Sequence, residues 1–158
     1  VRHCDIALGN EEDADKVFGI AAPGTEVAAG RVDAGKYGYV AEELQRVFPN
    51  LKVVGFTLRG SINAGHNTWS GILHDGRRLY VGPVFDITDI VDRVGSGDAF
   101  AGGLIYGIRT YGADLQKALN FAVGASCLKH SIAGDFNAVS IAEVEKIMSG
   151  ETSGRVSR

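Results

Sequence analysis

The densest chemistry in this sequence lies in Gly95-Ser96-Gly97-Asp98. An apolar, β-branched run (Ile87, Ile90, Val91) stops at this turn, and an apolar helix is predicted directly after it, from Ala99 to Tyr111. Phe100, Leu104, Ile108 and Tyr111 recur there at helical spacing, which puts them on one face. Glycines before a helix start let a ligand approach the backbone closely, and they leave first-turn N–H groups free to meet an anion. Gly95, Ser96 and Gly97 are therefore candidates for an anion hole. Asp98 is set into the same turn. A carboxylate beside a phosphate site repels its ligand unless it has a proton to collect, so general base is the natural role for Asp98. The alternative is a tight turn with Asp98 as its cap. Neither of two common phosphate motifs is present: Phe100 occupies the third glycine position of the dinucleotide fingerprint, and no Gly-Lys-Ser or Gly-Lys-Thr occurs.

Several elements must position that turn. Cys4 to Leu8 reads as a short apolar strand, followed by Gly9-Asn10-Glu11-Glu12-Asp13. Acidic residues there suit a helix start, with Ala14, Val17 and Phe18 as its buried side. A capped surface helix is the plain reading of Asn10 and Asp13. Ala21 to Gly38 reads as a loop or insertion, and Tyr37, Val40, Leu44 and Val47 mark an amphipathic helix closed by Pro49 and Asn50. Leu51 to Leu58 reads as a buried strand whose end, Thr57-Leu58-Arg59-Gly60-Ser61, is a candidate site because ligands gather at strand C-termini. The Arg59 guanidinium can pair with phosphate oxygens or stay solvated. Asn67 to His74 and Arg77 to Val81 form a predicted hairpin around Asp75-Gly76, with Trp69 as a packing residue. Asp86 and Asp89 read as solvated. Gly112 and Asp114 end one helix and cap the next, whose apolar face is Leu115, Ala118, Leu119, Ala122 and Ala125. A loop from Lys129 to Asn137, a last amphipathic helix (Ile141 to Met148) and a polar tail complete the chain.

The 158 residues are 45% hydrophobic and 22% charged, which is ordinary for one globular domain. A net charge of −3, with no long basic run, argues against nucleic-acid and membrane surfaces. No apolar stretch approaches the ~20 residues that span a bilayer. Cys4 and Cys127 have apolar neighbours and no partner spacing, so both are expected to be buried, reduced thiols of a cytoplasmic protein. The four histidines give no metal-ligand pattern.

The run Asp92-Arg93-Val94-Gly95-Ser96-Gly97-Asp98-Ala99-Phe100, followed by small residues, resembles the second signature of ribokinase-like sugar kinases, the PfkB family. Arg93 stands where threonine is usual, and Ser96 where alanine is common. The resemblance implies a three-layer α/β/α sandwich of ribokinase type. It also implies that 1–158 are the C-terminal nucleotide-binding and catalytic part of one domain, with most of the sugar site and the lid in an N-terminal half outside it. ATP and magnesium are the implied cofactors, with potassium as a further cation. By matching position, Asn10, Thr57, Arg59, Gly60, Gly134 and Asn137 would contact nucleotide, and Asp98 and Asp135 the substrate. Asp92 would help bind a monovalent cation, and Asp13 would hold magnesium through water. Asp13 replaces the family's glutamate, and Arg59 replaces a glycine. Gly9-Asn10-Glu11-Glu12, Phe56-Thr57-Leu58-Arg59, Val91-Asp92-Arg93-Val94-Gly95 and Lys129-His130-Ser131 through Gly134-Asp135-Phe136-Asn137 are most similar to the branch acting on 2-keto-3-deoxygluconate. The expected reaction is phosphorylation of a sugar-acid hydroxyl, in a cytoplasmic enzyme expected to be a homo-oligomer. A kinase for fructose or ribose and a non-catalytic nucleotide-binding fragment are the alternatives.

Overall fold

Alternation along one long strand sets the layering. In β2 (Val53–Asn63), Val54, Phe56 and Leu58 pack into one apolar cluster and Val53 into another on the opposite face. The first cluster includes Ala41 and Leu44 from α2 (Ala34–Val47), and the second Phe100 and Leu104 from α3 (Ser96–Tyr111) with Leu119 and Val123 from α4 (Leu115–Lys129). The result is a three-layer α/β/α sandwich. This computed structural model describes residues 1–10, 12–22 and 34–150.

The sheet runs β1-β2-β3-β4, with β1 (Ile6–Gly9) parallel to β2, and β3 (His66–His74) antiparallel to β2 and to β4 (Leu79–Val81). A short β5 (Phe85–Ile87) pairs with the start of β3. α1 (Asp13–Phe18) follows β1, and α5 (Ile141–Met148) packs on α4 through Val144, Phe121 and Ala125. Burying a large apolar side chain of this kind stabilises by about 1.5–3 kcal/mol. α3 and α4 lie close because their seam is built from small residues. A Cβ on Gly107 would stand 2.7 Å from the Ala118 Cα, and one on Gly103 3.0 Å from the Ala122 Cα.

Most expected elements are present. Asp114 caps α4 by accepting from the Lys117 N–H at 2.9 Å, and Ser140 with Glu143 forms a capping box on α5. The β3–β4 hairpin turns at Asp75 and at Gly76, whose φ is +86°. Trp69 is packing: it is buried, and its indole N–H donates to Ser126 Oγ at 2.7 Å.

Five readings need correction. Thr57 to Ser61 is not a loop. β2 continues through it, because β3 supplies an antiparallel ladder that pairs Arg59 with Trp69, Gly60 with Thr68 and Ser61 with Asn67. Ala34 to Gly38 belongs to α2 rather than to a loop; Pro23 to Asp33 lie outside the described residues. Val17 and Val47 are exposed, and Phe18 is 38% exposed, so α1 buries only Ala14. Cys4 is exposed, since β1 begins two residues later, whereas burial pushes the Cys127 thiol up to about 12. Asp86 is not simply solvated but pairs with His66. Glu11 and residues 151–158 also lie outside the described residues.

Candidate active site

The helix α3 begins earlier than its apolar face implies. Gly95 is its N-cap, at φ 81°, and Ser96, Gly97 and Asp98 are its first turn. The first regular helical bond runs from the Ala99 N–H to the Gly95 carbonyl at 2.8 Å. Ser96 already donates its N–H to the Arg93 carbonyl at 3.3 Å, which leaves Gly97 and Asp98 as first-turn donors without an intrahelical acceptor. Ser96 is thus a weaker anion donor than expected. The Asp98 carboxylate is exposed beside those donors, at the positive end of a 16-residue helix.

Three parts of the chain hold this turn in place. Asp92 accepts from the Val94 N–H at 3.0 Å and from the Gly134 N–H at 2.9 Å, and these two bonds hold its carboxyl below the usual range. Both carboxylate oxygens are therefore engaged in bracing two loops. Val91 and Asp92 donate their N–H groups to the His130 carbonyl at the end of α4. Gly95 lies under the backbone of Asp135, so close that a Cβ there would stand 2.0 Å from the Asp135 carbonyl oxygen. Only glycine fits this contact. The buried Lys129 donates to the Ile132 carbonyl at 2.9 Å, which ties the same loop to α4.

Asp98, Asp135 and Asn137 line one open cavity of about 370 Å³. Its apolar walls include Tyr106 and Gly103 from α3 and Phe121 and Ala125 from α4. Asn137 donates to the Ala125 carbonyl at 3.2 Å, while its buried Oδ1 has no partner among the described residues. Phe136, also in the lining, is 78% exposed. Tyr106 and Phe121 were not singled out in the sequence. The signal was available: Ala99, Gly103 and Tyr106 recur at helical spacing on a second face of α3.

The remaining expected residues gather elsewhere, at the end of β1. Asn10 Oδ1 accepts from the Glu12 and Asp13 N–H groups at 2.8 and 3.2 Å, and Asp13 returns the favour by accepting from the Asn10 N–H at 2.8 Å. This reciprocal cap is the plain reading of both residues. Thr57 Oγ1 donates to the Gly9 carbonyl at 3.4 Å. Lys16, and more weakly Arg59, hold the Glu12 carboxyl below its ordinary value. Arg59 and the buried Gly60 sit in β2. Among the described residues no group of three or more His, Cys, Asp or Glu side chains could hold a metal ion.

Residues 71–139 match the model of the pfkB family carbohydrate kinases. The fold of the chain superposes on 2-dehydro-3-deoxygluconokinase from Thermotoga maritima with a TM-score of 0.82 and 45% identity, covering 94% of this chain and 42% of that one. Ribokinase from the same organism shares the fold at a TM-score of 0.63 and 19% identity, with 94% of this chain and 43% of that one covered. A 79-residue stretch is 35% identical to 2-dehydro-3-deoxygalactonokinase from Haloferax volcanii, covering 50% of this chain and 24% of that protein. The chain thus spans less than half the length of these relatives.

Proposed function

We propose that this chain is the C-terminal nucleotide-binding and catalytic part of an ATP-dependent kinase for a sugar acid, with 2-keto-3-deoxygluconate as substrate and its 6-phosphate as product. The observation that carries the reading is Asp98, a carboxylate among the unengaged N–H groups of a helix start at the mouth of a cavity. The 45% identity to a 2-dehydro-3-deoxygluconokinase supports the substrate class.

Asp98 removes the proton from the sugar hydroxyl as its oxygen attacks the γ-phosphorus. The bond from that phosphorus to the β–γ bridging oxygen breaks, ADP leaves, and Asp98 returns the proton to solvent. The N–H groups of Gly97 and Asp98 hold the charge spread over the transferring group, with Gly95 shaping the turn. General-base help of this kind is worth about 10²–10⁴ in rate. The base of ATP enters between α3, α4 and the 135–137 loop, beside Asn137, which lines the same cavity. Asp135 contacts the sugar acid. Thr57, Arg59, Gly60 and Asn10 approach the phosphates from β2 and the end of β1. Magnesium would be held by the phosphates of ATP and would neutralise charge on the transferring group. Asp13 would meet it through water, and Asp92 would serve a potassium ion alongside its bracing role.

The open flank of β1 supports the view that the working enzyme has further chain on that side. Among the described residues β1 bonds only to β2, and Leu8, Val17 and Phe18 stand partly exposed around a cavity of about 420 Å³. The isolated 158 residues are therefore expected to self-associate and to lack turnover. A coupled ADP-release assay with 2-keto-3-deoxygluconate, fructose and ribose tests the reading on the complete kinase and on the chain alone, with light scattering beside it. Turnover by the complete enzyme only with fructose or ribose overturns the substrate. Sugar-dependent turnover from a monomer of these residues overturns the division of labour.

A further inference from the structure

The turn that opens α3 is tied to a part of the sheet that touches no proposed substrate. Arg93 Nη2 lies 3.2 Å from the Asn63 carbonyl, 2.5 Å from the Ala64 carbonyl and 3.2 Å from Asn67 Oδ1. Asn63 and Ala64 form the tip of the β2–β3 hairpin, and the Ile90 N–H donates to Gly65 of the same tip at 3.3 Å. Charge-assisted bonds from a guanidinium to carbonyls are the stronger kind and fix direction as well as distance. Asn67 is fully buried at the first rungs of β3; among the described residues its Nδ2 has no partner, and its side-chain oxygen bonds Arg93.

We propose that Arg93 is a positioning residue: by clamping the hairpin tip to the loop before α3, it sets the direction of the Gly97 and Asp98 N–H groups and of the Asp98 carboxylate. Arg93 is three residues from the α3 first turn and directly follows the Asp92 brace. Its own carbonyl accepts the Ser96 N–H, so a rotation of Arg93 moves the helix start with it. The Arg93 side chain engages the sheet while its backbone engages the helix. No contact between Arg93 and nucleotide or sugar is invoked.

This inference rests on the proposed kinase reading, and its test separates the two. In the complete kinase, Arg93→Ala should lower kcat on the order of 10- to 100-fold, the scale of a misplaced reacting group, with both Michaelis constants near the wild-type values. Guanidinium added to the assay should restore part of the loss. Arg93→Ala also strips buried Asn67 of its bond, so the double variant Arg93→Ala, Asn67→Leu, which removes that orphaned amide, should recover thermal stability without recovering kcat. A double variant with wild-type kcat would make Arg93 a stabiliser and nothing more. Hydrogen exchange on the same proteins reads the geometry without any substrate. The amides of Ser96, Ala99 and Gly65, each hydrogen-bonded in the folded chain, should exchange faster together in the stability-matched double variant. Unchanged exchange at Ser96 and Ala99 overturns the proposal even if the substrate assignment fails.

Discussion

Two clusters of polar residues flank the same sheet, and they are held in opposite ways. The turn from Asp92 to Asp98 is braced from far along the chain. Asp92 reaches Gly134 across 42 positions, Arg93 reaches the β2–β3 hairpin, and Gly95 lies under Asp135. The cluster at the end of β1 is closed on itself, since Asn10 and Asp13 cap one another within three residues. Beside it lies an open strand edge with exposed Leu8 and Phe18. Distant bonds over-determine a geometry, whereas a local cap leaves its element free to move as a unit. The first cluster is held from several distant points, and the second lies beside a strand edge that has no further partner among the described residues.

The comparison breaks most sharply at Asp98. In the complete kinase Asp98→Asn should cut kcat by at least about 10² while nucleotide affinity holds, read from steady-state kinetics and direct titration with ATP. A variant keeping more than about a tenth of the activity would remove the base role. Next in size is Gly95→Ala. It places a Cβ 2.0 Å from the Asp135 oxygen at a φ of 81°, so the lid of the turn must shift. A loss of about 1–3 kcal/mol in a denaturant melt is expected, together with a large fall in turnover.

Acid should act through the braced side. His130 is buried against Trp69, donates Nδ1–H to the Ser126 carbonyl at 2.8 Å, and has no partner at Nε2 among the described residues. Burial foremost keeps it neutral below its ordinary value of 6.5. The unfolded chain then takes up a proton that the folded chain refuses, so stability is full above about pH 6.5 and is lost as pH falls below it. The slope is at most about 1.4 kcal/mol per pH unit. His130→Gln should flatten that part of the stability–pH curve measured by thermal melts. The smallest effect belongs to the local cluster. Asn10→Ala should cost about 1 kcal/mol as the loss of a helix cap. If the Michaelis constant for ATP then stays at its wild-type value, Asn10 is a cap alone; a rise assigns it to the nucleotide.

Local backbone chemistry explains what the sequence by itself determined. A glycine pair, an aspartate and an apolar period of 3.6 need no distant partner to make a helix start with free N–H groups, so the Gly95–Asp98 turn and α3 were legible from their own residues. The same holds for the Asp114 and Ser140 caps and the Asp75-Gly76 hairpin. Tertiary structure alone decided the rest. Thr57-Leu58-Arg59-Gly60-Ser61 carries loop-like residues and became strand because β3 offered it a ladder. Arg93 looked like a departure from a pattern, and only the folded hairpin turned it into a clamp. Tyr106, Phe121 and Asn137 share a cavity because glycine and alanine let α3 and α4 approach, a distance set by packing and absent from any local window.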